Sequence, residues 1–101
     1  MGKTQKNEFN ISGKVLAVHP PEVINERLRK SELILEIWFG NKRDGDPVLF
    51  EFKNELTMQT ANVQEGDWVN IDFSLRGRAW TPDGGKTRWF NSLEGLSCTV
   101  E

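Results

Sequence analysis

The segment that most invites chemistry runs Leu75-Arg76-Gly77-Arg78-Ala79-Trp80, passes through a turn, and resumes as Lys86-Thr87-Arg88-Trp89. Side chains two apart on an extended strand share a face, so Arg76, Arg78 and Trp80 would stand in one row. An indole offers a broad π-face, and a guanidinium offers a planar fork whose charge does not titrate. The combination suits a ligand with flat rings strung along an anionic backbone, and each stacked base contributes about 1–3 kcal/mol. Lys86 and Arg88 extend the basic run across the turn, and Trp89 adds a second ring. Trp38, Phe52 and Lys14 are further candidates. Each has a competing role: Trp80 as cover for the rim of the fold, Trp38 as packing between subunits, Trp89 as a buried ring, and Phe52 as a core residue alternating with Phe50. The cations compete as ordinary solvated charge. Trp68, following Glu65-Gly66-Asp67, reads as packing or an interface residue.

The other chemistry-bearing residues do not assemble into a centre. The single histidine, His19, precedes two prolines and has no companion to ligate a metal or activate a nucleophile. The single cysteine, Cys98, cannot form an internal disulfide, which fits a reducing compartment and a small packing side chain. Gly84-Gly85 is turn chemistry and not a phosphate-cradling loop ahead of a helix. The reading is therefore a binding protein without cofactor or metal, and not an enzyme. Net charge is −2, which argues against coating a polyanion by bulk charge. Its distribution is uneven. Residues 74–92 carry four cations against one acid, residues 27–43 five against two, and residues 44–67 six acids against Lys53 alone. A charged groove is compatible with that pattern. No apolar run approaches the roughly 20 residues that span a bilayer, and no apolar leader opens the chain, so the expected location is cytoplasmic.

The elements that would carry these residues follow from period. Residues 9–18 alternate as a strand, with Gly13 marking a bend, and Pro20-Pro21 should stop it. Residues 21–30 then form a connection, as loop or short helical turn. Residues 32–39 give a second strand with Leu33, Leu35, Ile37 and Phe39 on the core parity, and residues 40–47 a hairpin loop. Residues 48–53 are a third strand. Asn54 can cap a helix in which Leu56, Thr60 and Val63 recur until Gly66 ends it. Residues 68–78 return to strand period with Val69, Ile71, Phe73 and Leu75 inward. Residues 81–86 are a tight turn, and residues 88–100 a fifth strand bent near Gly95. Three strands, a short helix and a long hairpin is the order of an all-β, five-stranded OB-fold Greek-key β-barrel. At 101 residues the chain suits one such domain over 9–101, behind a flexible N-terminus of residues 1–8.

The stretch Leu75-Arg76-Gly77-Arg78-Ala79-Trp80-Thr81, its polar turn, and Lys86-Thr87-Arg88-Trp89 resembles the last hairpin of bacterial single-stranded-DNA-binding proteins (SSB). Ile71, Val69, Gly66, Val63 and Phe52 fall at matching spacings, and Pro21-Glu22-Val23 is similar to that family's turn after the first strand. The likeness covers roughly residues 9–100, and its specific part is residues 52–89. Closer still is a family of short bacterial and phage proteins of unknown function, sharing Gly13-Lys14, Pro20-Pro21, Phe50-Glu51 and Arg88-Trp89-Phe90-Asn91. The resemblance implies an OB fold, a role in binding single-stranded DNA (RNA being the alternative) during replication or recombination, and a homo-oligomer, dimer or tetramer. It places Trp80 at the SSB stacking position and Phe52 at a contact position. Two departures stand out. The chain ends at Cys98-Thr99-Val100-Glu101 without the family's acidic tail, so partner recruitment through such a tail is not expected. Asp46 also lies near the place where the family has a third-strand tryptophan. The rival reading is an OB-fold protein-interaction module whose aromatics form a subunit or partner interface.

Overall fold

The computed structural model describes residues 5–40 and 43–101. The fraying expected at the N-terminus falls in part on residues 1–4, and the 40–47 hairpin loop in part on residues 41–42, which lie outside the described residues. Five strands follow in order: β1 Phe9–Asn25, β2 Leu28–Ile37, β3 Asp46–Lys53, β4 Trp68–Trp80 and β5 Arg88–Val100, with a 3₁₀ helix, Asn54–Thr60, between β3 and β4. They close as β1-β2-β3-β5-β4. Every neighbouring pair is antiparallel except β3 and β5, which run parallel and meet at Glu51 and Glu94. This is the five-stranded OB barrel that the element order implies.

The barrel interior is filled by alternate residues of β1 to β4, with Val15, Leu33, Leu35, Phe50, Phe52, Val69 and Ile71 buried, by Val63 from the loop after the helix, and by the half-buried Leu93 and Cys98 of β5. Two glycines let this small barrel close. β1 pairs with β4 over residues 9–14 and with β2 from residue 14 onward, so the chain turns a corner there. At Gly13 a Cβ would stand 2.7 Å from the Glu36 carbonyl oxygen. On β5, Gly95 lies directly against the Phe52 ring. One extra residue, Leu96, bulges between the pairs Asp72–Ser97 and Phe73–Gly95, the bend expected at that point.

Several expectations need correction. Pro20-Pro21 does not end β1, which continues to Asn25 and pairs with β2 as far as Leu28. Past Lys14 the strand has a neighbour on one side only, and the register slips between His19 and Glu22, so the missing prolyl N–H groups fall in a one-sided bulge. The connection drawn over residues 21–30 is therefore mostly strand. Phe39 lies beyond the end of β2 and is 79% exposed, not core. Leu75 is half exposed because β4 has by then run past the barrel. The helix is shorter than its apolar spacing suggests. Asn54 does not cap it; it takes a positive φ of 54°, tolerated by asparagine, and its Oδ1 accepts from the Arg29 N–H at 2.9 Å. The Thr57 and Thr60 hydroxyls donate to carbonyls three residues back, which competes with α-helical pairing. Gly66 does take the left-handed conformation, but its N–H donates to the Val15 carbonyl and so pins the loop to β1.

If Gly95 is fixed by the Phe52 ring, Gly95→Ala overpacks the core and should cost about 1–3 kcal/mol in urea unfolding. Gly77→Ala serves as the control. Its Cβ would meet nothing nearer than the Asn91 side chain at 3.4 Å, so it should shift stability by less than about 0.5 kcal/mol. Equal losses would show that the Phe52 contact is not what Gly95 serves.

Candidate functional site

β4 and β5 leave the barrel as a two-stranded ribbon. Its tip is the turn in which the Gly85 N–H donates to the Pro82 carbonyl at 3.0 Å, with Gly84 at φ 71°. The Thr81 and Thr87 hydroxyls, 2.7 Å apart, clasp its base. Directly opposed residues of an antiparallel pair share a face. Arg76 pairs with Ser92, Arg78 with Phe90 and Trp80 with Arg88, so these six form one face of the ribbon. Leu75, Gly77 and Ala79 oppose Leu93, Asn91 and Trp89 on the other. The Arg78 guanidinium sits 5.2 Å over the Phe90 ring, within cation–π range. Trp80 is 51% exposed at the end of the row. Lys86 stands exposed in the turn.

At the root of that face the ribbon meets the outer surfaces of β2 and β3 and encloses an open cleft of about 460 Å³. Lys30, Glu51, Lys53, Arg76, Arg78 and Phe90 line it. The charges are cross-linked: Lys30 lies 3.0 Å from Glu51 and 3.7 Å from Glu32, while Glu94 takes both Lys53 at 3.5 Å and Arg76 at 3.6 Å. The Glu51 carboxylate accepts from the Lys30 ammonium and holds it above the ordinary lysine range, against the desolvation that works the other way. Among the described residues Arg78 and Arg88 enter no ion pair. Two unpaired guanidinium groups thus flank an exposed indole.

The remaining candidates fall elsewhere. Trp38, just past β2, stacks on Trp68 at the start of β4, with centroids 5.8 Å apart and planes 20° from parallel. Lys14, the cross-strand partner of Trp68, is exposed beside them. Of the described residues, neither Trp38 nor Trp80 lines the cleft. Trp89 is 75% exposed but on the opposite ribbon face from Trp80. Phe52 is a correction: it is wholly buried against Gly95 and has no face to offer a base. Phe90 is a site residue that composition alone does not mark, although counting outward from the turn pairs it with Arg78. The Trp38–Trp68 stack was also missed, since it needs the closure of β1 against both β2 and β4.

A second surface looks quite different. Asn10, Ser12, Asn70, Asp72 and Ser97 bond one another across β1, β4 and β5 at 2.7–2.9 Å. Hydrogen bonds from Asn10 and then Ser97 hold the Asp72 carboxyl below its ordinary range. The face satisfies its own donors and acceptors and leaves few for a ligand. His19 lies within β1, its Nδ1 3.0 Å from Glu32. No group of three or more His, Cys, Asp or Glu among the described residues is placed to hold a metal ion. No described helix is long and apolar enough to cross a membrane.

Burial pushes the Cys98 thiol up to about 11, with Asp67 adding to the effect. A thiol with so raised a pKa is a poor nucleophile at neutral pH. Labelling of the native protein by a disulfide reagent should be slow at pH 8, climb about tenfold per pH unit and level off only near pH 11, whereas the unfolded chain should label rapidly at pH 8. Equal rates at pH 8 would contradict this placement.

The family described as "Domain of unknown function (DUF3127)" matches residues 10–98. No curated protein gives a significant match. Solved structures do resemble the fold. The mitochondrial single-stranded DNA binding protein Rim1 of S. cerevisiae superposes with a TM-score of 0.71 at 13% identity, over 96% of each chain. The Plasmodium falciparum SSB in complex with ssDNA gives 0.66 at 15% identity, over 100% of this chain and 99% of that one. At such identities the likeness establishes the OB barrel and nothing finer.

Proposed function

The chain belongs to the DUF3127 family, and from the outer face of its β4–β5 ribbon we propose that it binds single-stranded nucleic acid, DNA in the first instance. One observation carries the reading. Arg76, Arg78 and Trp80 oppose Ser92, Phe90 and Arg88 on a single exposed ribbon face, with Arg78 over Phe90 and two guanidinium groups that enter no ion pair among the described residues. Unpaired bases need exposed π-faces and their phosphates need cations, and this face supplies both in alternation. That relatives in fold are single-stranded DNA binding proteins, one with ssDNA bound, supports the same reading.

In this assignment Trp80 stacks a base, Arg78 and Arg88 contact phosphates, and Arg76 and Lys86 extend the track at either end. Trp38 and Lys14, with Trp68, form a second stacking position, and Trp89 takes a base on the reverse of the ribbon. Function at a net charge of −2 fits a local basic strip in place of a coat. Leu16 and Leu49 are exposed on the outer barrel wall, with the half-buried Ile34 opposing Leu49 across β2 and β3, and this apolar surface favours self-association as a dimer or tetramer.

Trp80→Ala combined with Arg78→Ala should weaken binding of oligo-dT at least tenfold in a tryptophan-quenching or anisotropy titration, since one stacked base and one phosphate contact are lost. With about four phosphates neutralised, the log–log salt slope of the wild type should be near −3. Unchanged affinity in the double variant would remove this face from the site.

A further inference from the structure

The cleft at the root of the ribbon is not built as a simple phosphate track. Four of its walls are cations, Lys30, Lys53, Arg76 and Arg78, but Glu51 stands among them. A carboxylate repels phosphate, so a groove for backbone alone has no use for it. Glu51 is also held in place: its side chain is 18% exposed, and Lys30 engages it through Oε2 at 3.0 Å. Its Oε1 enters no hydrogen bond or ion pair among the described residues. The cleft therefore presents a fixed acceptor facing the same space as guanidinium donors. Beside them is a flat wall, the Phe90 ring with the Arg78 guanidinium over it.

We infer that this cleft reads a base, and that the base it favours is guanine. Guanine carries O6 and N7 as neighbouring acceptors, the pair that an arginine fork engages. Its adjoining Watson–Crick edge carries N1–H and the N2 amino group, two adjacent donors that a carboxylate accepts together. Adenine lacks an acceptor in place of O6, thymine has one N–H between two carbonyls, and cytosine has no second donor beside its amino group. Only guanine matches the Arg76 fork on one edge and Glu51 on the next. An arginine plane is also a stacking surface for an unpaired base, so the outer side of the Arg78 guanidinium supplies the platform. At about 460 Å³ the cleft lies within the roughly 300–1,000 Å³ of small-ligand sites, ample for one nucleotide. Glu94, by bridging Lys53 and Arg76, fixes two of the cations that line the cleft.

The inference rests on the single-strand reading above, and one set of titrations separates the two. Fluorescence anisotropy would compare dT12, d(TTA)4, d(TTG)4 and the inosine form d(TTI)4 in lithium buffer, which discourages four-stranded guanine structures. The wild type should bind d(TTG)4 about fivefold more tightly than dT12 or d(TTA)4, the lower end of what one well-placed base contact gives. Loss of the N2 amino group in d(TTI)4 should return most of that gain. Glu51→Gln should keep or raise affinity for dT12 while bringing the d(TTG)4 to dT12 ratio close to one. Binding of dT12 with a wild-type ratio within twofold overturns the guanine assignment and leaves the single-strand reading intact. A ratio that survives Glu51→Gln removes the preference from this cleft. No binding to any oligonucleotide at low salt overturns both. Should Glu51→Gln fail to fold, the inosine comparison decides by itself, because it alters only the ligand.

Discussion

The register of β4 against β5 is the constraint on which the molecule's outer face depends. In a strand pair, slipping by one residue exchanges the two faces. A slip here would turn Arg78 and Trp80 away from Phe90 and Arg88. What prevents it is remote from the ribbon. The Phe52 ring fills the barrel against Gly95, where no other residue fits, and the adjacent bulge at Leu96 takes up the odd residue between the two halves of β5. Below the bulge, Ile71 and Cys98 face the barrel interior; above it, Arg78 and Phe90 face out together. A core contact thus sets which side chains are displayed some fifteen residues further along the hairpin. Phe52, which offers no surface to a ligand, still determines where the ligand-facing residues stand.

Electrostatics then divides the outer wall into regions of different character. Over β1, β4 and the end of β5, amides, hydroxyls and the Asp72 carboxylate bond one another and leave a self-satisfied surface without cations. At the ribbon root, Glu51 and Glu94 pin Lys30, Lys53 and Arg76. Such partly exposed pairs contribute little stability, but they hold long side chains in defined places and so make an array of donors and acceptors specific. Toward the tip Asp83 is the one acid, and among the described residues Arg78, Arg88 and Lys86 enter no ion pair. The chain can therefore be acidic overall and still present a cationic strip, because its negative charge is spent on positioning cations or lies elsewhere on the barrel.

Much of this was legible from the sequence wherever a period-2 pattern meets a buried interior. The alternation Val48-Phe50-Phe52 and Val69-Ile71-Phe73 gave both strand and facing, and the Pro82-Asp83-Gly84-Gly85 turn fixed the hairpin. What stayed hidden depended on tertiary neighbours. Pro20-Pro21 reads as a stop, and only the lack of a second neighbour for that half of β1 lets the strand run through it. Leu56, Thr60 and Val63 have helical spacing and suggest a longer helix, whereas hydroxyl-to-carbonyl bonds and the Val15–Gly66 tie impose a shorter 3₁₀ turn. Phe39 and Leu75 keep the core parity but lie past the ends of the barrel, where parity no longer implies burial. Of the candidate site, the Arg76, Arg78 and Trp80 row was visible. The Trp38–Trp68 stack and the acid-braced cleft join residues far apart in sequence, and pattern alone does not bring them together.

The most direct test of the account is an amide-resolved NMR titration of the protein with a short thymidine oligomer at low salt. Shift changes should concentrate on residues 76–80 and 88–92 and reach Lys30 and Lys53, while Asn10, Asn70 and Asp72 on the self-bonded face stay still. Perturbations centred on that second face, or none at all, would contradict the claim that the ribbon register displays the binding surface.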